Sequence, residues 1–396
     1  MGYGHLRPAY ALAERLGVPV REVDRTPFAS PTDRLIWRLS RRLYETISRR
    51  SQGGVARRVA GPILEAITCL PTLDQAPSPV PADAGARWLH RLMRLGFGRQ
   101  LVRSLRASRG TLVTTFYAPA IMADAHGIRP VISVVTDSEV SRIWVPVQPE
   151  RSSIQYCVPH RRTARRLAAY GVPGTSIHLT GFPLPPTLTG DRAGTDAQRR
   201  FARLERWAAG DGPLHLCLAI GGAGAQADLA LNLVRALAHE IRRGDLRVTL
   251  VTGTNTSLSV RFRRRLEHLG VGNDGPDSRV SVLSAERHTD YLERFNEELP
   301  TTDLLWTKPS ELSFFAALGL PMLLAPAVGE HERANATILF EAGAAFPVPA
   351  ATELPHWLAA RRRDGALERA ARAGFASLPR DATDRVAAVV EHLHKL

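Results

Sequence analysis

The chain has 396 residues, room for two domains of ordinary size, and its 44% hydrophobic content is that of a globular protein. No apolar run reaches the roughly 18–20 residues of a membrane-spanning helix, the N-terminus is glycine-rich with no apolar signal core, and Cys69, Cys157 and Cys217 show no metal spacing, so they read as buried thiols of a reducing, cytoplasmic compartment. The formal charge of +14 is uneven: residues 1–200 carry 29 Arg against 14 acidic residues, and residues 201–396 carry 23 basic against 24 acidic ones, so the first half suits an anionic partner, membrane surface or nucleic acid, unless it is simply an arginine-rich solvated surface.

Gly2-Tyr3-Gly4-His5 leads into a helix, Leu6 to Leu16, with Pro8 in the first turn, where its missing N–H is harmless. Glycines at such a junction turn a strand into a helix, and none precedes them, so the first strand is expected upstream or lost. Val20 to Val23 reads as a short strand. Leu35, Ile36, Leu39, Leu43 and Ile47 then recur at helical spacing among arginines. A second helical stretch runs from Ala84 to Ser108, with Arg87, Arg91 and Arg94 on one stripe and Trp88, Leu92 and Leu95 beside it, interrupted at Gly96 and Gly98. A basic amphipathic helix carrying a Trp suits an anionic membrane; a core helix with solvated arginines has the same pattern. Pro71 to Pro81 reads as a loop.

From Thr111 the pattern becomes α/β. Strands are expected at Thr111–Thr115, Pro130–Thr136, Ile154–Val158 and Ile177–Leu179, with helices at Ala118–Ala125 and Arg161–Tyr170. Asp137 stands at a strand's carboxyl end, where parallel sheets place ligands; its bland alternative is a turn or helix cap. Residues 184–212 are rich in Pro, Gly, Asp and Arg, which places a linker at 191–212.

The second half opens with a buried strand, Leu214 to Ile220, then Gly221-Gly222-Ala223-Gly224-Ala225-Gln226 and a helix to about Arg242. Glycines let backbone N–H groups approach a diphosphate, and a loop between strand and helix is the context such a site needs. The spacing does not fit a dinucleotide, and no acidic residue follows where an adenosine ribose would need it, so NAD and FAD are set aside. Strands follow at Val248–Thr252, Val280–Leu283, Leu304–Trp306 and Met322–Ala325, with helices at Ser259–Leu269 and Tyr291–Asn296, from Ser310 to Gly319, and from the Gly329–Glu332 loop to Gly343. The tail reads as helices at Leu358–Ala373 and Thr383–His394. Lys308 is one of two lysines beside 50 arginines, either kept for its compact charge or a product of drift.

Thr307-Lys308 with Ser310, then Gly319-Leu320-Pro321, then Gly329 through Glu332 to Asn335, resembles the donor half of GT-B glycosyltransferases. The nearest pattern is the group of monogalactosyldiacylglycerol synthases and the peptidoglycan N-acetylglucosaminyl transferase. Thr136-Asp137, Trp144, Gly171-Val172-Pro173 and Thr180-Gly181-Phe182-Pro183 occur in the order of the same group, and Gly2-x-Gly4-His5 resembles its first loop. The resemblance spans nearly the whole chain with degenerate motifs. It departs at Phe314, where the group has a glutamate for the donor ribose; Glu311, one turn earlier, is the replacement available.

The resemblance implies an α/β GT-B fold, two Rossmann-like parallel-sheet domains facing a cleft, the first strand of the N-terminal one missing. The expected division is a basic acceptor domain at 1–190, a linker at 191–212, a nucleotide-sugar domain at 213–375, and a helix at 376–396 returning to the first domain. The implied activity is metal-independent hexosyl transfer from a nucleotide sugar, UDP-linked, with no cofactor, to an acceptor at or from a membrane surface, on the inner face of the plasma membrane. Candidate catalytic residues are His5, as base, and Asp137; Gly4 and Trp144 lie on the acceptor side. Candidate donor residues are Gly221, Gly222, Gly224, Gln226, Thr307, Lys308, Ser310, Glu311, Glu330, Glu332 and Asn335, with Ser284–Glu286 near the base. The rival reading is a nucleotide-sugar-binding or membrane-associated protein that does not transfer, favoured by Phe314 and by the missing first strand. A 2-epimerase would need catalytic carboxylates that these loops do not supply. Nucleic acid is set aside, because the basic segments lack interleaved aromatics.

Overall fold

A computed structural model describes residues 2–50, 79–108, 110–220, 224, 226–271, 278–327 and 329–395. Cys69, most of the proline-rich stretch 71–81, and Gly221 and Gly222 lie outside the described residues. The chain divides into two compact units: residues 1–186, 329–334 and 380–396, and residues 187–328 and 335–379.

Unit 1 begins with α1 (Tyr3–Leu16), α2 (Pro31–Arg50), α3 (Ala84–Arg94) and α4 (Arg99–Ser108). It continues through β1 (Leu112–Thr114), α5 (Tyr117–Ala125), β2 (Val131–Val134), β3 (Gln155–Val158), α6 (Arg161–Ala169) and β4 (Ile177–Leu179). The four strands form a parallel sheet in the order β1-β2-β3-β4. Alternation along the strands divides the core. Val131, Tyr156 and Val158 pack with α3 to α6, while Ile132, Val134 and Cys157 pack with Leu12 of α1 and Val386 of the last helix. Residues 20–23, expected as a strand, are irregular. Pro19 lacks a donor and Arg21-Glu22 break the apolar run, so Val23 joins the core from a turn instead.

Unit 2 begins with α7 (Asp191–Ala209), β5 (Leu214–Ala219), α8 (Ala227–Ala236), α9 (Ala238–Arg243), β6 (Leu246–Gly253), α10 (Thr256–His268), β7 (Val280–Ser284) and α11 (His288–Glu298). After β8 (Leu304–Thr307), a 3₁₀ helix (Glu311–Leu318) and β9 (Met322–Leu324) comes α12 (Glu330–Glu341), whose first residues group with unit 1. Then follow β10 (Ala345–Pro347), α13 (Leu354–Asp364) and α14 (Ala366–Ser377); α15 (Ala382–His394) belongs to unit 1. The sheet is parallel throughout, in the order β10-β9-β8-β5-β6-β7. β5 is fully buried and apolar except for His215, the pattern of a strand covered on both faces.

Three expectations for unit 2 change. The stretch 191–212 is mostly the helix α7, not an extended connection: Ala193, Ala197, Phe201, Leu204 and Trp207 form an apolar stripe, and the last four enter the unit 2 core. Its Pro- and Gly-bearing flanks hid that period. The helix after Ser310 is 3₁₀ rather than α; it is buried on nearly every side, so packing rather than an amphipathic face sets its winding. The tail helix is two helices, broken where Gly365 adopts a left-handed conformation (φ 63°).

The 3₁₀ helix is backed closely by α14. A Cβ on Gly374 would stand 2.6 Å from the Ala316 carbonyl oxygen, closer than any side chain tolerates. Gly374→Ala is expected to destabilise the protein by about 1–3 kcal/mol through overpacking, lowering the melting midpoint by several degrees; an unchanged melt would show that α14 gives way freely.

Candidate functional site

In unit 2 the chain runs β5, β6, β7 outward and then crosses back to place β8 on the other side of β5. That reversal, between β5 and β8, is the topological switch point at which open parallel sheets bind ligands, beyond the carboxyl ends of their strands. The loop after β5 and the loop after β8 flank it. The first carries Gly224 in a left-handed conformation (φ 68°) and the largely buried Gln226 directly before α8. Gly224 lies against the N-terminus of α10, where Asn255 Oδ1 accepts from the Leu258 N–H at 3.0 Å.

The second loop is held at both ends. Thr307 is buried, and its carbonyl accepts from the Ala325 N–H at 2.9 Å; the Lys308 carbonyl accepts from Ser310 N at 2.8 Å, and the Ser310 carbonyl from Ser313 N at 3.0 Å. Asn335, buried in α12, donates Nδ2–H to the Pro309 carbonyl at 3.2 Å. Lys308, Ser310, Glu311 and Phe314 are half-buried around this turn. Thr307, Lys308, Ser310, Glu311 and Asn335 therefore share one body with Gly224 and Gln226. Glu330 and Glu332 do not: residues 329–334 group with unit 1. There Glu330 is hydrogen-bonded by Arg333 at 2.6 Å, and this bond holds its carboxyl below the usual range, while Glu332 is buried. Ser284, at the end of β7, is occupied by structure: its hydroxyl meets Ser259 Oγ at 3.2 Å and its carbonyl accepts from Arg294 at 3.1 Å.

At the opposite, amino-terminal edge of the sheet stands a group that sequence reading missed. Arg200 of α7 is fully buried and donates to the carbonyls of Thr302, Leu318 and Leu299, each at 2.7 Å. Burial pushes its pKa down to about 10, which leaves it charged at neutral pH. At the same edge, Glu298 meets Thr249 Oγ1 at 2.5 Å and His215 Nε2 at 3.1 Å. Burial raises its pKa, but the bonds from His215 and Thr249 outweigh that and hold it below the ordinary carboxylate value.

In unit 1 the candidates collect beyond the carboxyl ends of β1 and β2. His5, in the first turn of α1, places Nδ1 at 2.7 Å from the Thr115 carbonyl and at 3.3 Å from Thr136 Oγ1. Thr115 Oγ1 in turn donates to the His5 carbonyl at 2.8 Å. The His5 ring stands edge-on to Phe116, with centroids 5.0 Å apart, and 6.3 Å from the buried Trp144. Gly4 precedes His5 in the same turn. Asp137, next to Thr136, is half-buried, and its carbonyl lies 3.4 Å from Thr163 Oγ1.

The acid that anchors this loop is Glu139. It is buried and held by Arg166 (Nε–Oε1 2.7 Å) and Arg162 (Nε–Oε2 2.8 Å), both on α6. Cys157 and Cys217 are buried free thiols, and burial pushes the Cys157 thiol up to about 12.

Two parallel-sheet units of Rossmann type, one with its switch point bounded by these loops, make this a GT-B fold. The processive diacylglycerol beta-glucosyltransferases of Bacillus subtilis (strain 168) and Bacillus pumilus (strain SAFR-032) are each 24% identical to the chain, over 222 and 223 residues, which is 55% and 56% of it. The match covers 51% of either relative, so the chain spans about half the length of the curated relatives it matches. A family model described as a domain of unknown function (DUF6938) matches residues 172–296. A solved structure of S. aureus MnaA with UDP aligns at TM-score 0.51 and 12% identity, over 79% of this chain and 82% of that one, a likeness of fold.

Proposed function

We propose that this protein is a glycosyltransferase that moves a sugar from a UDP-linked donor to an acceptor hydroxyl. The observation that carries the reading is the switch point of unit 2, with Gly224 and Gln226 before α8 on one side and the Thr307–Ser310 turn on the other. The likeness to the two glucosyltransferases supports it. Unit 2 holds the donor. Backbone N–H groups of the glycine loop, Lys308 and the helix start at Glu311 stabilise the leaving diphosphate as fixed donors stabilise any developing anion. Thr307, Ser310, Gln226 and Glu311 complete the donor contacts, Glu311 replacing the ribose acid that Phe314 cannot supply. His5 takes the proton from the acceptor hydroxyl as that oxygen attacks the anomeric carbon and the bond to the diphosphate breaks.

The acceptor is a lipid presented at an anionic membrane surface, and the protein works on the cytoplasmic face. Among the described residues no helix is long and apolar enough to cross a membrane. Surface contact is supported by α3, where Trp88 and Leu95 are 61% and 84% exposed beside the exposed Arg87, Arg91 and Arg94, and by Leu35 and Leu39 of α2. Such faces bind anionic lipid through apolar insertion and charge together.

The test is UDP release from UDP-glucose and UDP-galactose, with diacylglycerol in vesicles with and without anionic lipid. Turnover that rises with anionic lipid is expected; no release under any condition would sink the enzyme reading. In the same assay Lys308→Ala is expected to weaken UDP affinity about 10- to 100-fold, the loss of one charge-assisted hydrogen bond. Unchanged affinity would remove Lys308 from the donor site.

A further inference from the structure

We infer that Thr115 is a positioning residue that fixes both the tautomer and the placement of His5, on the reading that His5 is the acceptor base. A carbonyl oxygen only accepts, so the nitrogen 2.7 Å from the Thr115 carbonyl, His5 Nδ1, carries the hydrogen. The basic lone pair of the neutral ring is then on Nε2. Thr136 Oγ1, 3.3 Å from the same nitrogen, takes a second branch of that bond. The tautomer is set without a carboxylate, by a backbone group of the strand end.

The second half of the clamp is what makes the position definite. Thr115 Oγ1 donates to the His5 carbonyl at 2.8 Å, so one residue grips the ring and the backbone of His5 at once. Thr115 directly follows β1 and is buried, and it therefore ties the first turn of α1 to the carboxyl end of the sheet. The ring is bounded laterally by Phe116, edge-on at 5.0 Å, and by Trp144 at 6.3 Å. Two bonds to one buried residue and two aromatic neighbours leave the imidazole little rotational freedom, which is the preorganisation a base needs before substrate arrives.

The experiment compares Thr115→Val, Thr115→Ser and His5→Gln in the full chain. Valine removes the hydroxyl and keeps the shape and the backbone carbonyl; serine keeps the hydroxyl. Turnover is read with UDP-glucose and dispersed diacylglycerol, donor affinity with UDP alone, and the tautomer by long-range ¹H–¹⁵N spectra of ¹⁵N-histidine-labelled protein, with His5 assigned by its loss in His5→Gln. Thr115→Val is expected to lower kcat about 10- to 100-fold, the cost of a small misplacement of a reacting group, with UDP affinity unchanged. The single Nδ1–H signature should persist, because the backbone carbonyl that sets it remains. Thr115→Ser should restore kcat.

A Val variant with wild-type kcat, or a wild-type His5 that carries its hydrogen on Nε2, would overturn the clamp. So would a loss that serine does not repair, or one that takes UDP affinity with it. If His5→Gln turns over normally, or if the wild-type chain shows no turnover, the reading of function falls instead, and the tautomer spectra still decide whether Thr115 sets the ring.

Discussion

His5→Gln is expected to lower kcat by about 10²–10⁴-fold, the range contributed by a placed general base, while UDP affinity and the melting midpoint stay at wild-type values. Glutamine matches the reach of Nε2 and not of Nδ1, so its amide does not replace the bond to the Thr115 carbonyl, but Thr115 Oγ1 still donates to the backbone carbonyl of residue 5. What it lacks is a basic nitrogen at the Nε2 position. The first turn of α1 should therefore keep its dock on the strand end, and only the proton transfer should fail. Steady-state turnover beside a UDP titration separates the two effects. A variant with undiminished kcat would remove His5 from the chemistry, and one that also loses UDP affinity would make its role structural.

Arg200→Met is expected to destabilise the protein by about 3–5 kcal/mol. Methionine refills most of the volume, but the carbonyls of Leu299, Thr302 and Leu318 each lose a donor at 2.7 Å inside a fully buried site, and an unsatisfied buried polar group costs about 1–3 kcal/mol. That is a large share of a domain's stability, and for a unit of this size it lowers the melting midpoint by about 6–20 °C. The effect should extend to function. Thr302 leads into β8 and Leu318 ends the 3₁₀ helix, so Arg200 braces, from their far ends, the strand before and the helix after the Thr307–Ser310 turn. Thermal melts and a UDP titration below the melt check both parts. A near-neutral Arg200→Met would mean that water or a shifted backbone satisfies these carbonyls.

How far the sequence carried depends on what kind of signal each feature leaves. The strands β1 to β9 were legible because buried parallel strands are short apolar runs between turn residues, as in Leu214–Ala219 and Val131–Val134, whereas β10, three residues ending in Pro347, leaves no such run. The Thr307–Ser310 turn was legible because a fixed order of strand, polar turn and helix start survives in sequence. α7 was not, because Gly and Pro at its ends outweighed an apolar stripe that composition does not register. The 3₁₀ winding after Ser310 was not, since i+3 and i+4 patterns merge when every face is buried.

The supporting polar groups were the least visible. Arg200 looks like any surface arginine until the carbonyls around it are placed. Thr115 acts on His5 from 110 positions away, and Glu139 anchors the loop where Asp137 drew attention. Each pairing is long-range, and one sequence contains no record of it. Asn335 is intermediate: the sequence pattern singled it out, but not the Pro309 carbonyl it holds.

The central claim is that unit 2 binds a uridine diphosphate at its switch point. Calorimetric titration of the full chain with UDP, and in parallel with ADP, GDP and TDP, tests it most directly. The account predicts saturable binding of UDP, tighter than the other three and weakened by Lys308→Ala. Binding of none of them, or equal binding of all four, would contradict it.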